Sequence, residues 1–245
     1  NDLVIIPDES LQLFPYHALI IPHDVKTKRP TYLIEKYTIM YHYSIWFFYQ
    51  NIGTLPQKDK QKLLAIAPKF FSHVQEENKL CDLKLTTNII EALKISHKEK
   101  TIACFTEDEA IIKRLFEHSK DSDHIFIFSH GQAPNKETKQ PYLIFAQNEN
   151  DEKYRLYIND FVKNADLSNT SLITFCCCDS GKGPIYDGEG VVSFNKAAIN
   201  LGAKAVIYTI GGASEEAALQ FMLVFNQLLA DGKGRRKAFQ LACKA

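Results

Sequence analysis

The sequence has no net charge and no long apolar run, and each absence excludes a class of protein. Its 29 Lys and Arg residues balance 29 Asp and Glu residues over 245 positions. Proteins that coat nucleic acid or an anionic membrane need a positive field, so we expect neither as a direct partner. No run approaches the roughly 18 apolar residues of a membrane helix, and no signal peptide opens the chain. We therefore expect a cytoplasmic protein. Because the chain starts without Met inside a strand-like run, we also expect it to be part of a longer polypeptide.

Disulfide, metal and nucleotide signatures are also missing. Cys81, Cys104 and Cys243 are scattered singly, whereas Cys176–Cys178 are consecutive and cannot form a disulfide framework, which suits a reducing compartment. Consecutive strand residues point to opposite faces and do not resemble the Cys-x-x-Cys pairs of zinc sites. The glycines around Lys182 lack the spacing of a phosphate-binding loop. We expect no metal and no cofactor.

Glycine is scarce in the first half of the chain, since only one of 11 glycines precedes position 130. Apolar runs alternate with helical patterns, which predicts an α/β fold with a largely parallel sheet. The predicted strands are Leu3–Ile6, Thr31–Glu35, Tyr37–Tyr43, Leu63–Ala67, Thr101–Phe105, Ile125–Phe128, Tyr142–Ala146, Leu172–Phe175 and Ala205–Thr209, the second and third forming a pair. The predicted helices are Asn88–Ile95, one from a Thr106–Glu109 capping box to Ser119, a short one from Asn159, Val191–Leu201 and Glu215–Leu229.

Two reactive side chains follow predicted strands. His130 comes after Ile125–Phe128, and the cysteine triplet comes after Leu172–Phe175, so His130 and Cys178 should face one crevice at the carboxyl edge of the sheet. A lone His or Cys at a strand end is more often structural. As a pair, however, an imidazole can take the proton of a thiol and return it to a leaving amine. Gly131 and the nucleophile's own amide would supply two N–H donors to an oxyanion.

The order of these motifs resembles that of the CHAT domain, a member of the caspase-haemoglobinase clan of cysteine proteases that is related to separase. A His about 50 residues before the Cys is typical of caspases. The motifs that carry the resemblance are Val4–Asp8, Leu13–Leu19, His130-Gly131, Cys177–Gly181, Gly188-Glu189-Gly190 with Ser193, and Ala197 with Gly202-Ala203 before Val206-Ile207.

The resemblance implies a caspase-like fold in which residues 1–120 form a pseudo-caspase subdomain and residues 121–245 the catalytic one. It implies Cys178 as nucleophile, His130 as general base, and the Gly131 and Cys178 amides as the oxyanion hole. The expected activity is that of a cytoplasmic cysteine endopeptidase which cleaves one or few protein substrates without a cofactor. Such domains act in prokaryotic defence or signalling, and a repeat region, sensor region or partner protein holds them latent.

The sequence departs from the family where the usual Trp-x-Val-x-Asp segment falls on Gly211–Glu215. The acid of this segment lines the pocket for a basic P1 side chain in separase, so the resemblance implies that Glu215 binds Arg or Lys. Asp187 and Glu189 are weaker candidates for the same role. A first-turn helix acid favoured by the helix dipole explains Glu215 equally well.

Two other functions stay open. One is a catalytically silent caspase-like scaffold that binds a protein partner, which the presence of His130, Gly131 and Cys178 in the right order disfavours. The other is a hydrolase of small esters or amides that uses the same pair. The basic run Lys233–Lys237 is best explained as a solvated helix start.

Overall fold

The structure, a computed structural model, describes residues 2–21, 30–51, 62–71, 80–97, 101–147, 153–187 and 189–245. The strands in these ranges are β1 (Asp2–Ile5), β2 (Ile20–Ile21), β3 (Thr31–Tyr32), β4 (Thr38–Tyr41), β5 (Lys62–Ala67), β6 (Thr101–Thr106), β7 (His124–Ser129), β8 (Gly131–Gln132), β9 (Tyr142–Ile144), β10 (Arg155–Tyr157), β11 (Leu172–Cys177), β12 (Ile185–Tyr186), β13 (Gly190–Val191) and β14 (Val206–Ile207). The α-helices are α1 (Leu33–Lys36), α2 (Ile45–Asn51), α3 (Thr86–Lys94), α4 (Ile112–His118), α5 (Ile158–Asn164), α6 (Phe194–Asn200), α7 (Glu215–Ala230) and α8 (Arg235–Ala242). Short 3-10 helices cover Glu9–Leu13, Tyr16–Ala18, Ile95–His97, Glu107–Glu109 and Ser119–Asp121.

Five parallel strands form the central sheet, in the order β14-β11-β7-β5-β6. The middle strand β7 is buried along its whole length, as expected for an apolar strand with both faces covered. Its residues pair in parallel with β11, from His124 opposite Leu172 to Ser129 opposite Cys177. The prediction of an α/β fold with a largely parallel sheet flanked by helices is confirmed.

Alternate residues of β7 supply two hydrophobic layers, one on each face of the sheet. Ile125 and Ile127 pack in a cluster that includes residues of α4, α5 and α6. Phe126 and Phe128 point the other way, into a cluster that includes residues of α3 and α7. The fold is therefore a three-layer sandwich with β7 at its centre.

The predicted strand pair Thr31–Glu35 and Tyr37–Tyr43 is wrong. The first segment is a strand only over β3 and then turns into α1, where the Glu35 carboxylate accepts a hydrogen bond from the Tyr32 backbone N–H at 2.9 Å. This local bond outweighs the strand preference of the aromatic and β-branched side chains. The two strands pair elsewhere, β3 with β2 and β4 in parallel with β1.

The predicted capping box at Thr106 is also wrong. Thr106 ends β6, and its side chain caps no helix. The next residue, Glu107, has φ 52°, so the chain turns into a 3-10 helix before α4 begins at Ile112. The predicted strand at Tyr142–Ala146 is shorter than expected, and β9 pairs antiparallel with β8 and β10 outside the central sheet.

The central sheet takes strands from both predicted subdomains. β5 and β6 come from residues 1–120, and β7, β11 and β14 come from residues 121–245. Further bonds connect the chain's two ends, since the Gln240 side chain bonds to the Thr38 hydroxyl at 3.3 Å and to the Ile34 carbonyl at 2.9 Å. The subdomain boundary at residue 120 stays a prediction. Among the helices of the described ranges, none is long and apolar enough to cross a membrane.

Candidate active site

The register of β7 and β11 places His130 and Cys178 at neighbouring strand ends. Ser129 is the last paired residue of β7 and lies opposite Cys177, the last residue of β11. His130 directly follows Ser129, and Cys178 directly follows Cys177. Because the two strands are parallel and adjacent, both side chains emerge at the carboxyl edge of the sheet, where ligands bind in α/β folds.

A tight turn follows Cys178. Asp179 adopts the left-handed backbone conformation with φ 55°, which Asp tolerates better than most residues. The Ser180 N–H donates to the Cys177 carbonyl at 3.3 Å, and the Gly181 N–H donates to the Thr209 carbonyl at 2.8 Å. The turn thus reverses the chain directly after the thiol, which leaves Cys178 only partly buried at the sheet edge.

Gly131 and Cys178 are in direct contact through their backbones. A Cβ at position 131 would lie 2.1 Å from the Cys178 carbonyl oxygen, which no side chain can tolerate. The Ile144 N–H donates to the His130 carbonyl at 3.0 Å and so fixes the His130-Gly131 segment against β9. The three residues that the sequence predicted for catalysis are therefore brought together.

A backbone carbonyl orients the His130 ring. Its Nε2 lies 2.8 Å from the Cys81 carbonyl oxygen. Since a carbonyl only accepts, Nε2 must carry the proton, and Nδ1 is the nitrogen left to act as a base. The ring of Phe71 packs edge-on against the imidazole, with centroids 4.6 Å and planes 70° apart.

The Cys178 thiol contacts a different loop. Its Sγ lies 3.9 Å from the Ala213 carbonyl oxygen, a weak S–H donor contact. Within the described part of the chain, no hydrogen bond joins this thiol to the imidazole of His130, whose own bond goes to Cys81. Such bonds are often long in unliganded enzymes and tighten when substrate binds.

The other two thiols of the triplet are unsuited to nucleophilic attack. Cys177 is 1% exposed, its Sγ lies 3.5 Å from the Ile127 carbonyl oxygen, and burial raises the pKa of its thiol well above the ordinary value. Burial, and to a lesser degree the neighbouring Cys178, raises the pKa of Cys176 to about 12. A thiol that stays protonated at neutral pH is a poor nucleophile.

The predicted specificity residues are spread over two regions. Glu215 is the first residue of α7 and is half-buried, and its Oε2 accepts a hydrogen bond from the Leu85 backbone N–H at 2.7 Å. Glu189 is exposed and forms an ion pair with Lys196 at 3.5 Å. Asp187 is exposed in the turn after β12, and the neighbouring Gly188 lies outside the described residues. Of these three residues, Glu215 is the one that lies close in the chain to Ala213, whose carbonyl contacts the thiol.

Sequence reasoning missed the contributions of Phe71, Cys81 and Ala213. Cys81 and Ala213 act through backbone carbonyl oxygens, which any residue carries, so no side-chain pattern marks them. Phe71 follows a strand-ending Pro68 and is 1% exposed. Its burial next to a histidine has no sequence signature. Among the described residues, no group of three or more metal-binding side chains exists.

Comparisons with known proteins identify the family and the fold. The CHAT domain model matches residues 1–244. The structure is similar to that of the Arg specific cysteine proteinase gingipain R (RgpB), with a TM-score of 0.55, 13% identity, and coverage of 84% of this chain and 48% of that chain. It is also similar to the complex of Porphyromonas gingivalis RgpB pro- and mature domains, with a TM-score of 0.51, 13% identity, and coverage of 84% and 50%.

At this identity the likeness to gingipain concerns the fold, and the chain spans about half the length of those proteins. A search among curated proteins finds no match. Since the CHAT model spans essentially the whole chain, the protein belongs to the CHAT domain family and has the caspase-like cysteine protease fold.

Proposed function

We propose that the protein is a cysteine endopeptidase with Cys178 as nucleophile and His130 as general base. The observation that carries the proposal is the close approach of the Gly131 backbone to the Cys178 carbonyl, directly after the ends of adjacent parallel strands. The proposal is also supported by the partial exposure of the Cys178 thiol and by the His130 imidazole, whose Nε2 is already committed to a carbonyl.

In the first half of the reaction, His130 Nδ1 takes the thiol proton, and the thiolate attacks the carbonyl carbon of the scissile peptide bond. The resulting imidazolium gives this proton to the leaving amine as the carbon–nitrogen bond breaks, which leaves a thioester on Cys178. In the second half, His130 takes a proton from water, the hydroxide attacks the thioester, and the proton returns to the departing thiolate. The cycle consumes one water and needs no cofactor.

The N–H groups of Gly131 and Cys178 are our candidates for stabilising the oxyanion that forms in both halves. The close approach of the Gly131 and Cys178 backbones supports this assignment. Donors fixed in a backbone need no reorganisation as charge develops, and removing one such donor typically costs about 10²–10³ in kcat.

For specificity, we propose a basic P1 residue bound by Glu215, with Asp187 and Glu189 as weaker candidates. Gingipain R is itself described as Arg specific. Glu215 lies two residues after Ala213, which contacts the thiol, and its Oε1 is available beyond the bond that Oε2 accepts from Leu85.

Glu215→Gln tests this role, because the amide oxygen still accepts from the Leu85 N–H whereas the negative charge is lost. Cleavage of Arg and Lys peptides should fall relative to peptides with neutral P1 residues, while the alkylation rate of Cys178 stays unchanged. Equal losses of cleavage rate for peptides with basic and with neutral P1 residues would mean that Glu215 only accepts the Leu85 N–H at the start of α3 and does not bind the P1 side chain.

For its biological setting, we propose a cytoplasmic protease of prokaryotic defence or signalling that cuts one or few proteins and is controlled by a repeat region, sensor region or partner protein. The family membership supports this proposal. Broad degradation of a proteome by the active protein would contradict it.

The decisive test is limited alkylation by iodoacetamide at neutral pH, with each cysteine read by mass spectrometry in the wild type and in His130→Ala. We expect fast labelling of Cys178 that slows in the variant, and hydrolysis of members of a fluorogenic peptide library that Cys178→Ala abolishes. Slow labelling of Cys178 that His130→Ala leaves unchanged would contradict the dyad and favour the silent scaffold. Turnover of small esters without any peptide cleavage would favour the small-molecule hydrolase.

A further inference from the structure

Two neighbours of the His130 ring come from the chain that follows β5. The side chain of Phe71 is buried and packs edge-on against the imidazole at 4.6 Å between centroids. The carbonyl of Cys81 accepts from Nε2 at 2.8 Å. The first contact limits the tilt of the ring, and the second decides which nitrogen carries the proton. Both must be held in place if the base is to be ready before substrate arrives.

One carboxylate connects these two contacts. Asp82 follows Cys81 directly, and its Oδ1 accepts a hydrogen bond from the backbone N–H of Phe71 at 3.0 Å. The next residue continues the connection, since the Leu83 N–H donates to the Lys69 carbonyl at 2.9 Å. A hydrogen bond to an ionised carboxylate is stronger than one between neutral groups, so the Asp82 bond is the firmer of the two.

We infer that Asp82 is a positioning residue for His130. Its carboxylate holds the backbone of Phe71 and the carbonyl of Cys81 in one arrangement, which keeps the His130 proton on Nε2 and leaves Nδ1 as the base. Asp82 acts only through these two neighbours. The catalytic meaning of the inference rests on the proposed function, whereas the state of the ring can be measured without any catalysis.

The ordinary alternative is that Asp82 is a loop anchor with no influence on the imidazole. Asp166 is such an anchor on the same protein, because its Oδ1 accepts from the Ser168 N–H at 3.0 Å and from the Ser168 hydroxyl at 2.7 Å. Asp82 is exposed and Asp166 is partly exposed, and each binds a backbone N–H, yet of the two only Asp82 adjoins a contact of His130. Asp166→Ala is therefore a matched control for Asp82→Ala.

The experiment records the ring nitrogens of histidine by NMR in ¹⁵N-labelled protein, with the His130 signals assigned from their loss in His130→Ala. The wild type and Asp166→Ala should show His130 as a neutral ring protonated on Nε2. Asp82→Ala should show exchange between both neutral forms, because the Cys81 carbonyl is no longer held. Asp82→Asn should restore the wild-type signals, since its amide oxygen still accepts from Phe71.

The second readout is the alkylation of Cys178 by iodoacetamide, compared at a temperature where circular dichroism shows every variant folded. Asp82→Ala should slow it roughly tenfold, the size expected for one lost hydrogen bond, while Asp82→Asn and Asp166→Ala should not. An Asp82→Ala ring that stays protonated on Nε2, with unchanged alkylation, would overturn the inference. A wild-type Cys178 that is no more reactive than Cys81 would instead overturn the proposed dyad, and the NMR result would still decide the role of Asp82.

Discussion

The two sides of the candidate site are built in opposite ways. On the sheet side, Cys178 and His130 end two strands whose residues pair in register and are largely buried. On the loop side, the chain around Cys81 and the chain around Ala213 are mostly exposed, and each contributes a backbone carbonyl oxygen. The strands fix where the two proposed catalytic residues lie, and the loops supply the carbonyl oxygens that contact the His130 ring and the Cys178 thiol.

This difference predicts that substitutions on the two sides of the site have effects of different size. Substitutions on the sheet side move the proposed catalytic residues themselves. Because a closely packed parallel sheet cannot adjust locally, their effects on reactivity should be large. Changes on the loop side alter orientation or protonation, so their effects should be graded. The predictions below test this ranking.

The largest effect is expected for Gly131→Ala. The new methyl group would lie 2.1 Å from the Cys178 carbonyl oxygen, so one of the two backbones must shift, and Gly131 is paired with Leu143 of β9. We expect complete loss of selective Cys178 alkylation and a loss of about 1–3 kcal/mol in the free energy of unfolding, measured by urea denaturation. Gly212→Ala is the loop-side control, because a Cβ there meets nothing within 4 Å. A fully reactive Gly131→Ala variant would contradict the geometry.

Removal of the base comes next. His130→Ala should lower the hydrolysis of peptides by about 10²–10⁴-fold, the usual contribution of general acid–base catalysis. His17→Ala is a suitable control, because His17 bonds to the Tyr41 hydroxyl at 2.9 Å in the amino-terminal part of the fold. Equal rates for the two variants would mean that the imidazole of His130 takes no part.

The third effect is a difference in thiol reactivity between the interior of β11 and the residue that follows its end. Because burial raises the pKa of Cys176 to about 12, we expect iodoacetamide at pH 8 to modify this thiol about 10²-fold more slowly in the folded protein than in urea. Cys177 should behave in the same way. Cys178 should react faster in the folded protein than in urea. Labelling of all three thiols at similar rates would show that the strand does not protect its interior.

The smallest effect concerns stability at high pH. Burial raises the pKa of Tyr208 to about 12, so the folded protein keeps this phenol neutral where the unfolded chain has already ionised it. The contribution of the neutral Tyr208 to the free energy of unfolding is fully present below about pH 10 and is lost between about pH 10 and about pH 12. Between pH 8 and pH 11 the free energy of unfolding should fall by about 1 kcal/mol less in Tyr208→Phe than in the wild type. Urea denaturation midpoints at the two pH values measure this difference. The same slope in both proteins would refute the assignment.

Those parts of the fold that form by burying continuous apolar runs could be predicted from the sequence. The runs Leu63–Ala67, Ile125–Phe128 and Leu172–Phe175 are all strands of the central sheet, because continuous apolar runs have few other solutions. The prediction that His130 and Cys178 form the site depends on the strand ends, because a strand end limits where a side chain can go.

Features that depend on a single hydrogen bond could not be predicted. The bond from Tyr32 to Glu35 converts an expected strand into α1, and nothing in the residue pattern reveals it. The Leu85 N–H on Glu215 and the Cys81 carbonyl on His130 join segments that lie far apart in the chain. Backbone atoms carry no residue identity, so these bonds are visible only in three dimensions.

The strand order also determines when the site can exist during synthesis. β5, β6 and β7 emerge first and already form neighbouring strands, so His130 and Cys81 meet early. Cys178 and then Ala213 follow, at about 5–20 residues per second. Cys178 therefore reaches the sheet edge only after β5, β6 and β7 have been synthesised. The order of the strands along the chain thus makes Cys178 the later of the two proposed catalytic residues to be synthesised.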